Sequence, residues 1–180
     1  MSIDREKVPV AVITAANDEK LVSRIRFQKT VYLLEQLGLG SGFGYAYHHY
    51  GPYSRDLDNA MEDAKAFDLI GEEYGRRASD GAPFSIFKPT ENGKATVDEK
   101  AYGSLGRERV KGLVDRFAKT NLTVLELAAT AHWLWHTEGR ADWKDEIKKR
   151  KGVKTEGGRL EKAITLLEDL GLAPQQSAAA

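Results

Sequence analysis

Apolar and polar positions alternate with a period that changes several times in the first hundred residues and then stays helical. An opening apolar run predicts a helix from Pro9 to about Asn17, with Pro9 in the first turn, where its missing N–H has no intrahelical partner to lose. Phe27, Val31 and Leu34, at i, i+4 and i+7, predict a second helix from about Ser23 to Leu37, its stripe widened by Leu33 and Leu37. Gly38 then offers a left-handed cap, on which Leu39 folds back. From Phe43 to Tyr50 the chain is aromatic-rich and reads as a strand, ended by Gly51-Pro52. Ser54 is a natural N-cap, with Asp56 and Asp58 near the positive end of a helix that places Leu57, Met61, Ala64 and Phe67 inward and stops near Gly71.

Two extended segments follow, Gly71 to Arg76 and Phe84 to Lys88, around a turn signal from Arg77 to Pro83. Thr90 caps a further helical start. A hairpin after a helical unit is the order of a wing, so residues 1–102 are expected to form a winged-helix-like unit.

The second half repeats helical spacing. Val110, Leu113, Val114 and Phe117 mark a helix from Ser104 to Lys119. Thr123 with Glu126 reads as a capping box before Leu127, Ala131, Leu134 and Trp135. Asp142 caps a helix to about Lys151, and Thr155 precedes one carrying Leu160, Ile164, Leu167 and Leu170. The expected class is mainly α with a small β component: a winged-helix-like N-terminal half, a helical unit over 103–172 with a helix-turn-helix-like end, and a flexible tail over 173–180. Leu33 to Leu39 echoes Leu166 to Leu172; a shared helix ending explains one short match better than a duplication does.

Composition narrows the partners. The 180 residues hold 27 basic and 27 acidic side chains, so no polyelectrolyte partner is demanded overall. Cysteine is absent, which excludes disulfides and thiolate metal sites and suits a reducing compartment. Asp4, Glu6 and Pro9 do not fit a signal peptide, and no apolar run approaches the ~20 residues of a membrane helix. A cytoplasmic protein is expected.

Catalytic signatures are missing. Gly38 to Gly44 is glycine-rich but runs from helix to strand, the reverse of a phosphate loop. His48 and His49 are neighbours on a strand and face opposite ways. His132 and His136 have the i, i+4 spacing of a helical metal pair, yet Trp133 stands where a zinc protease carries its Glu and no third ligand is evident. Neither a metal nor a cofactor is expected.

Binding chemistry is better represented. Tyr47, His49, Tyr50 and Tyr53 around the turn Tyr50 to Ser54 form a candidate surface for a protein partner, or a structural corner. Residues 142–162 are locally basic. Lys148, Lys149, Arg150, Lys154, Arg159 and Lys162 on a helix-turn-helix-like end, with Arg76 and Arg77 at the wing, form a candidate DNA surface. The leading expectation is a non-enzymatic regulatory or defence-associated binding protein, with self-association left open. The rivals are a sequence-specific DNA-binding regulator and an enzyme whose site would use His49, Tyr50 and Gln28.

The segment Ile25-Arg26-Phe27-Gln28-Lys29-Thr30-Val31-Tyr32-Leu33-Leu34, followed by Tyr50-Gly51-Pro52-Tyr53-Ser54-Arg55-Asp56-Leu57, resembles the YwgA-like proteins and the related SocA-like (Panacea) antitoxin domains. Leu125 to His132 is similar to the YwgA-like second half. The resemblance implies a binding role. Panacea domains neutralise varied toxins and occur near phage and plasmid genes, which would make the chain a toxin–antitoxin or phage-defence component.

Overall fold

The computed structural model of the protein describes residues 2–174. The expected tail lies outside the described residues from position 175 onward. The first half runs α1 (Lys7–Ala15), β1 (Leu21–Val22), α2 (Arg24–Gln36), β2 (Ala46–His48), β3 (Gly51–Tyr53), α3 (Arg55–Ala66), β4 (Ile70–Arg76), β5 (Pro83–Pro89) and α4 (Glu91–Thr96). After a 3-10 segment, Glu99–Leu105, come α5 (Arg107–Lys119) and α6 (Leu122–His132). A π-helical turn, Trp133–Thr137, leads to α7 (Trp143–Lys151), a 3-10 turn, Gly152–Thr155, and α8 (Arg159–Leu170).

The fold is mainly helical with two small antiparallel sheets. In the first, β5 lies between β1 and β4; Leu21 pairs with Phe87, and Ile70 through Arg76 pair with Pro89 through Pro83. Helix, strand, helix, helix and hairpin, with the first strand against the last, is winged-helix topology. The insertion is the second sheet, the β2–β3 hairpin, lodged between α2 and α3. Pro52 is therefore a strand residue, and His49-Tyr50 is the turn, where the aromatic pattern suggested that Gly51-Pro52 ended the strand. Proline is tolerated because β3 is one strand of a two-stranded edge and its missing donor leaves no ladder gap.

Three helices are buried on every side and form the spine. Val8, Val10, Ala11 and Ile13 of α1 are inaccessible, as are Phe27, Val31, Leu33 and Leu34 of α2 and Leu125, Leu127, Ala128 and Ala129 of α6. Such all-round burial is what a central helix requires. The flanking helices α3, α5 and α8 are amphipathic, with Leu57 and Met61, Val110 and Val114, and Leu160 and Leu167 turned inward. The two halves share one hydrophobic core. Phe27 and Phe87, with ring centroids 5.8 Å apart, join α2 to the wing sheet, and full burial of each contributes about 1.5–3 kcal/mol.

Helix ends follow local chemistry. The Ser54 and Thr90 hydroxyls accept from Leu57 N and Gly93 N. Ser23 ends β1 by donating its N–H to Ser85 O and starts α2 at φ +82°, with its hydroxyl accepting from Arg26 N. The echoing segments both close as Schellman motifs: Leu39 N reaches Leu34 O and Leu172 N reaches Leu167 O, over Gly38 and Gly171 at positive φ. Three expectations differ. Phe67 is 62% exposed, because α3 ends at Ala66 and Asp68 turns the chain away at φ +55°. Asn121, not Thr123, caps α6, which frees Glu126 for another task. Asp142 gives α7 no side-chain cap and instead pairs with Arg140.

Candidate functional site

The hairpin is held to the body of the protein by side chains from distant helices. On α2, Gln28 brackets Ser54: its carbonyl accepts from Ser54 N and its amide donates to Ser54 O, both at 2.9 Å, and to Asp58 Oδ1. Its neighbour Lys29 donates from Nζ to Pro52 O at 2.6 Å. The Gln28-Lys29 pair and the Tyr50 to Ser54 segment thus form one clamp on backbone groups. Gly51 sits at φ +94° where a Cβ would lie 2.5 Å from Thr130 Oγ1 on α6, so glycine permits both the backbone angle and the close approach.

The other side of the hairpin meets the C-terminal third. Lys151 of α7 is almost wholly buried and donates to His49 O at 3.0 Å and to Glu126 Oε1 at 2.8 Å. Lys154 reaches both Glu126 oxygens at 3.1 Å. Its ammonium lies 5.1 Å from the Tyr50 ring centroid, and the Arg150 guanidinium 4.7 Å from that of Tyr47. Glu126 is therefore a buried counterion in the middle of α6. Burial, with Lys151 and Lys154 nearby, brings the Lys29 ammonium down to about 8 against the pull of Glu126. Burial likewise holds Lys151 below the usual lysine range despite its carboxylate partner.

Of the four candidate partner-binding residues, His49 and Tyr50 face solvent at the turn. Tyr47 is half-buried under Arg150, and Tyr53 is half-buried with its hydroxyl donating to Asp58. His48 packs on Tyr53 and His49 on Tyr50, so the adjacent histidines do part.

The candidate DNA-binding residues differ in how far they are engaged within the protein. Arg76 and Arg77 are at the wing tip, bonded to Gly81 O and Asp80. Arg150 is ion-paired with Glu138 and Glu146, Lys154 with Glu126, and Arg159 donates to the carbonyls of Val153 and Lys154. Lys148, Lys149 and Lys162 remain exposed on α7 and α8.

His132 and His136 stack with centroids 5.0 Å apart where the α-helix loosens into a π turn. Tyr32 OH lies 2.7 Å from His132 Nδ1. Burial, reinforced by His136, pushes His132 down to about 4, so its ring is neutral at physiological pH. Among the described residues no group of three or more His, Asp or Glu side chains has metal-ligating geometry.

Two depressions meet at Tyr50. One, of about 620 Å3, lies between the wing and the start of α2 and is lined by Val22, Ile25, Arg77, Phe84 and Leu122. The other, of about 360 Å3, lies beneath the hairpin and is lined by Gln28, Lys29, His48, His49 and Tyr53. Both include Arg24, Ile25 and Tyr50, along which they adjoin. The sequence drew attention to Tyr50 and His49 through their aromatic context. It hid Lys29, Glu126 and Lys151, because charged residues at helical spacing look like a solvated face.

No family model matches the chain. The chain is similar to the uncharacterised protein YwgA of Bacillus subtilis (strain 168), with 26% identity over 112 residues, 62% of this chain. The matched stretch covers 64% of YwgA, just under two thirds of its length. Among the described residues no helix is long and apolar enough to cross a membrane.

Proposed function

We propose that this protein acts by binding and not by catalysis, as a winged-helix-like regulatory or toxin–antitoxin-type module that takes a protein partner in the groove centred on Tyr50. The observation that carries this reading is Tyr50 itself. It is 43% exposed at the junction of the two depressions, flanked by apolar Ile25, with Arg24 beside it. Tyrosine and arginine at the centre of a groove are the residues on which protein interfaces concentrate their energy. The candidate surface of Tyr47, His49, Tyr50 and Tyr53 narrows accordingly: Tyr47 and Tyr53 support the hairpin, and His49 and Tyr50 meet the partner. A link to the SocA-like (Panacea) antitoxins would make that partner a toxin held inactive.

DNA is the second reading, favoured by the exposed Lys148, Lys149 and Lys162. The charge of α3 weighs against it. That helix stands where a winged-helix protein presents its recognition helix, and it carries Asp56, Asp58, Glu62 and Asp63 against Arg55 and Lys65. An excess of acids there repels phosphate.

The test is capture from the native host with a tagged chain. The intact chain retains a protein through washing. Tyr50→Ala, melting at an unchanged temperature, weakens that complex by about 2 kcal/mol, roughly thirtyfold in Kd. Equal retention by both chains sinks the proposal. Retention of nucleic acid, with affinity falling steeply as salt rises, transfers it to DNA.

A further inference from the structure

Lys29 is an electrostatic anomaly. The residue is 2% exposed, and its ammonium donates a hydrogen bond to the neutral carbonyl of Pro52. An ammonium carries three donors, and buried charges are ordinarily paired with an opposite charge. The other buried lysine obeys that rule, since Lys151 has Glu126 at 2.8 Å. Among the described residues no carboxylate lies within ion-pair distance of Lys29.

The surroundings deepen the imbalance. The charged groups acting on Lys29 are Glu126 from α6, Lys151 from α7 and Lys154 from the 3-10 turn. Three ammoniums thus share one carboxylate, and that carboxylate bonds to the other two. On the hairpin side the facing titratable groups are His48, His49, Tyr50 and Tyr53, and from α2 itself Arg24 lines the same space with its guanidinium paired to Glu72. Asp58 also borders the space, but its oxygens are taken by Gln28 and the Tyr53 hydroxyl.

Lys29 lines the cavity of about 360 Å3 beneath the hairpin, a volume at the small end of ligand pockets. Its walls include Ile25 and the rings of Tyr50 and Tyr53. We propose that this cavity is a binding site for a small carboxylate ligand with a flat apolar body, whose carboxylate pairs with the Lys29 ammonium while its body packs against Ile25 and the two tyrosines. The ligand supplies the missing negative charge. Tyr50 belongs both to this site and to the outer groove, so occupancy bears directly on the surface offered to a partner.

The site needs the protonated amine, and Lys29 loses its proton near pH 8 in the empty protein. A carboxylate raises that value, so binding draws a proton from solvent above neutrality and weakens as pH rises further.

Benzoate is the probe and benzamide its neutral isostere. Calorimetric titration of the full chain at about pH 7 is expected to give benzoate binding at least about tenfold tighter than benzamide. Between about pH 7 and pH 9.5 the benzoate affinity falls about tenfold and the benzamide affinity is unchanged. Lys29→Met, checked for native melting, loses the benzoate preference. A second measurement needs no variant: at about pH 7 benzoate raises the melting temperature of the full chain more than an equal concentration of benzamide does, and that margin shrinks by about pH 9.5. Equal affinity for the two probes overturns the proposal, and so does an equal melting shift. Neither result depends on a captured protein, so the ligand site and the partner reading fail separately.

Discussion

Replacing Glu126 by Gln removes one negative charge from among three ammoniums and changes almost nothing in shape. The nearest partner, Lys151 Nζ, is 2.8 Å away, with both side chains at least 96% buried. At an effective dielectric of about 20 the gross attraction is about 6 kcal/mol. Relief of carboxylate desolvation offsets part of it, and removal of one member of a buried pair typically costs about 3–5 kcal/mol. Lys154, with its side chain 38% exposed, adds no more than about 1 kcal/mol. The expected loss at neutral pH is therefore about 4 kcal/mol in urea unfolding, a large share of a typical domain's stability. The deficit is pH-dependent with a definite sign. Lys29 and Lys151 titrate below their unfolded value in the folded protein. The unfolded chain therefore binds more protons in the window from about 8 to 10.5, and stability rises with pH there. Without Glu126 that rise is steeper, so the gap between variant and native chain narrows by at least about 1 kcal/mol from pH 7 to pH 10. Adding Lys151→Met to Glu126→Gln recovers roughly half the loss in a double-mutant cycle. A loss under about 1 kcal/mol at pH 7, or a gap that stays constant with pH, refutes the buried-counterion account.

Gly51→Ala places a methyl 2.5 Å from Thr130 Oγ1 at φ +94°; a loss of about 2–3 kcal/mol by thermal or urea melting is expected. Gly51→Ala with Thr130→Ala, which removes that oxygen, returns all but about 1 kcal/mol, and no recovery would show that the clash is not the cause. His132, lowered to about 4 from 6.5, makes its contribution fully above pH 6.5 and loses it as pH falls toward 4. The native chain should lose about 3 kcal/mol over that window from this residue, and His132→Phe should flatten that part of the profile in acid titration of stability.

Local chemistry was readable wherever a residue acts on its own neighbours. Ser54 and Thr90 cap helices because their hydroxyls reach an N–H three positions on. Gly38 and Gly171 end helices because only short-range geometry is involved. The wing hairpin followed from a turn signal between two extended runs. What stayed hidden depends on partners far along the chain. Glu126 has capping-box spacing from Thr123, but its carboxylate is drawn inward by lysines 25 and 28 positions later. Gln28 and Lys29 look like the polar side of an amphipathic helix, and both are buried because the hairpin covers that side. Gly51-Pro52 reads as a strand terminator in isolation, yet it pairs as a strand, with Lys29 of α2 bonded to the Pro52 carbonyl. Charge density likewise did not reveal which of Arg150, Lys154 and Arg159 would be bound internally, since their acceptors include backbone carbonyls that no sequence pattern displays.

The sequence separation of 102 from His49 to Lys151 sets a timetable for the nascent chain. The hairpin and α2 leave the ribosome early, but Glu126, Lys151 and Lys154 arrive later. At a synthesis rate of about 5–20 residues per second, the aromatic turn waits about 5–20 s for its final fastening. During that interval Tyr47 and Tyr50 have no cation above them. Translation thus delays the moment at which the aromatic turn takes its finished form until the last third of this protein has been made.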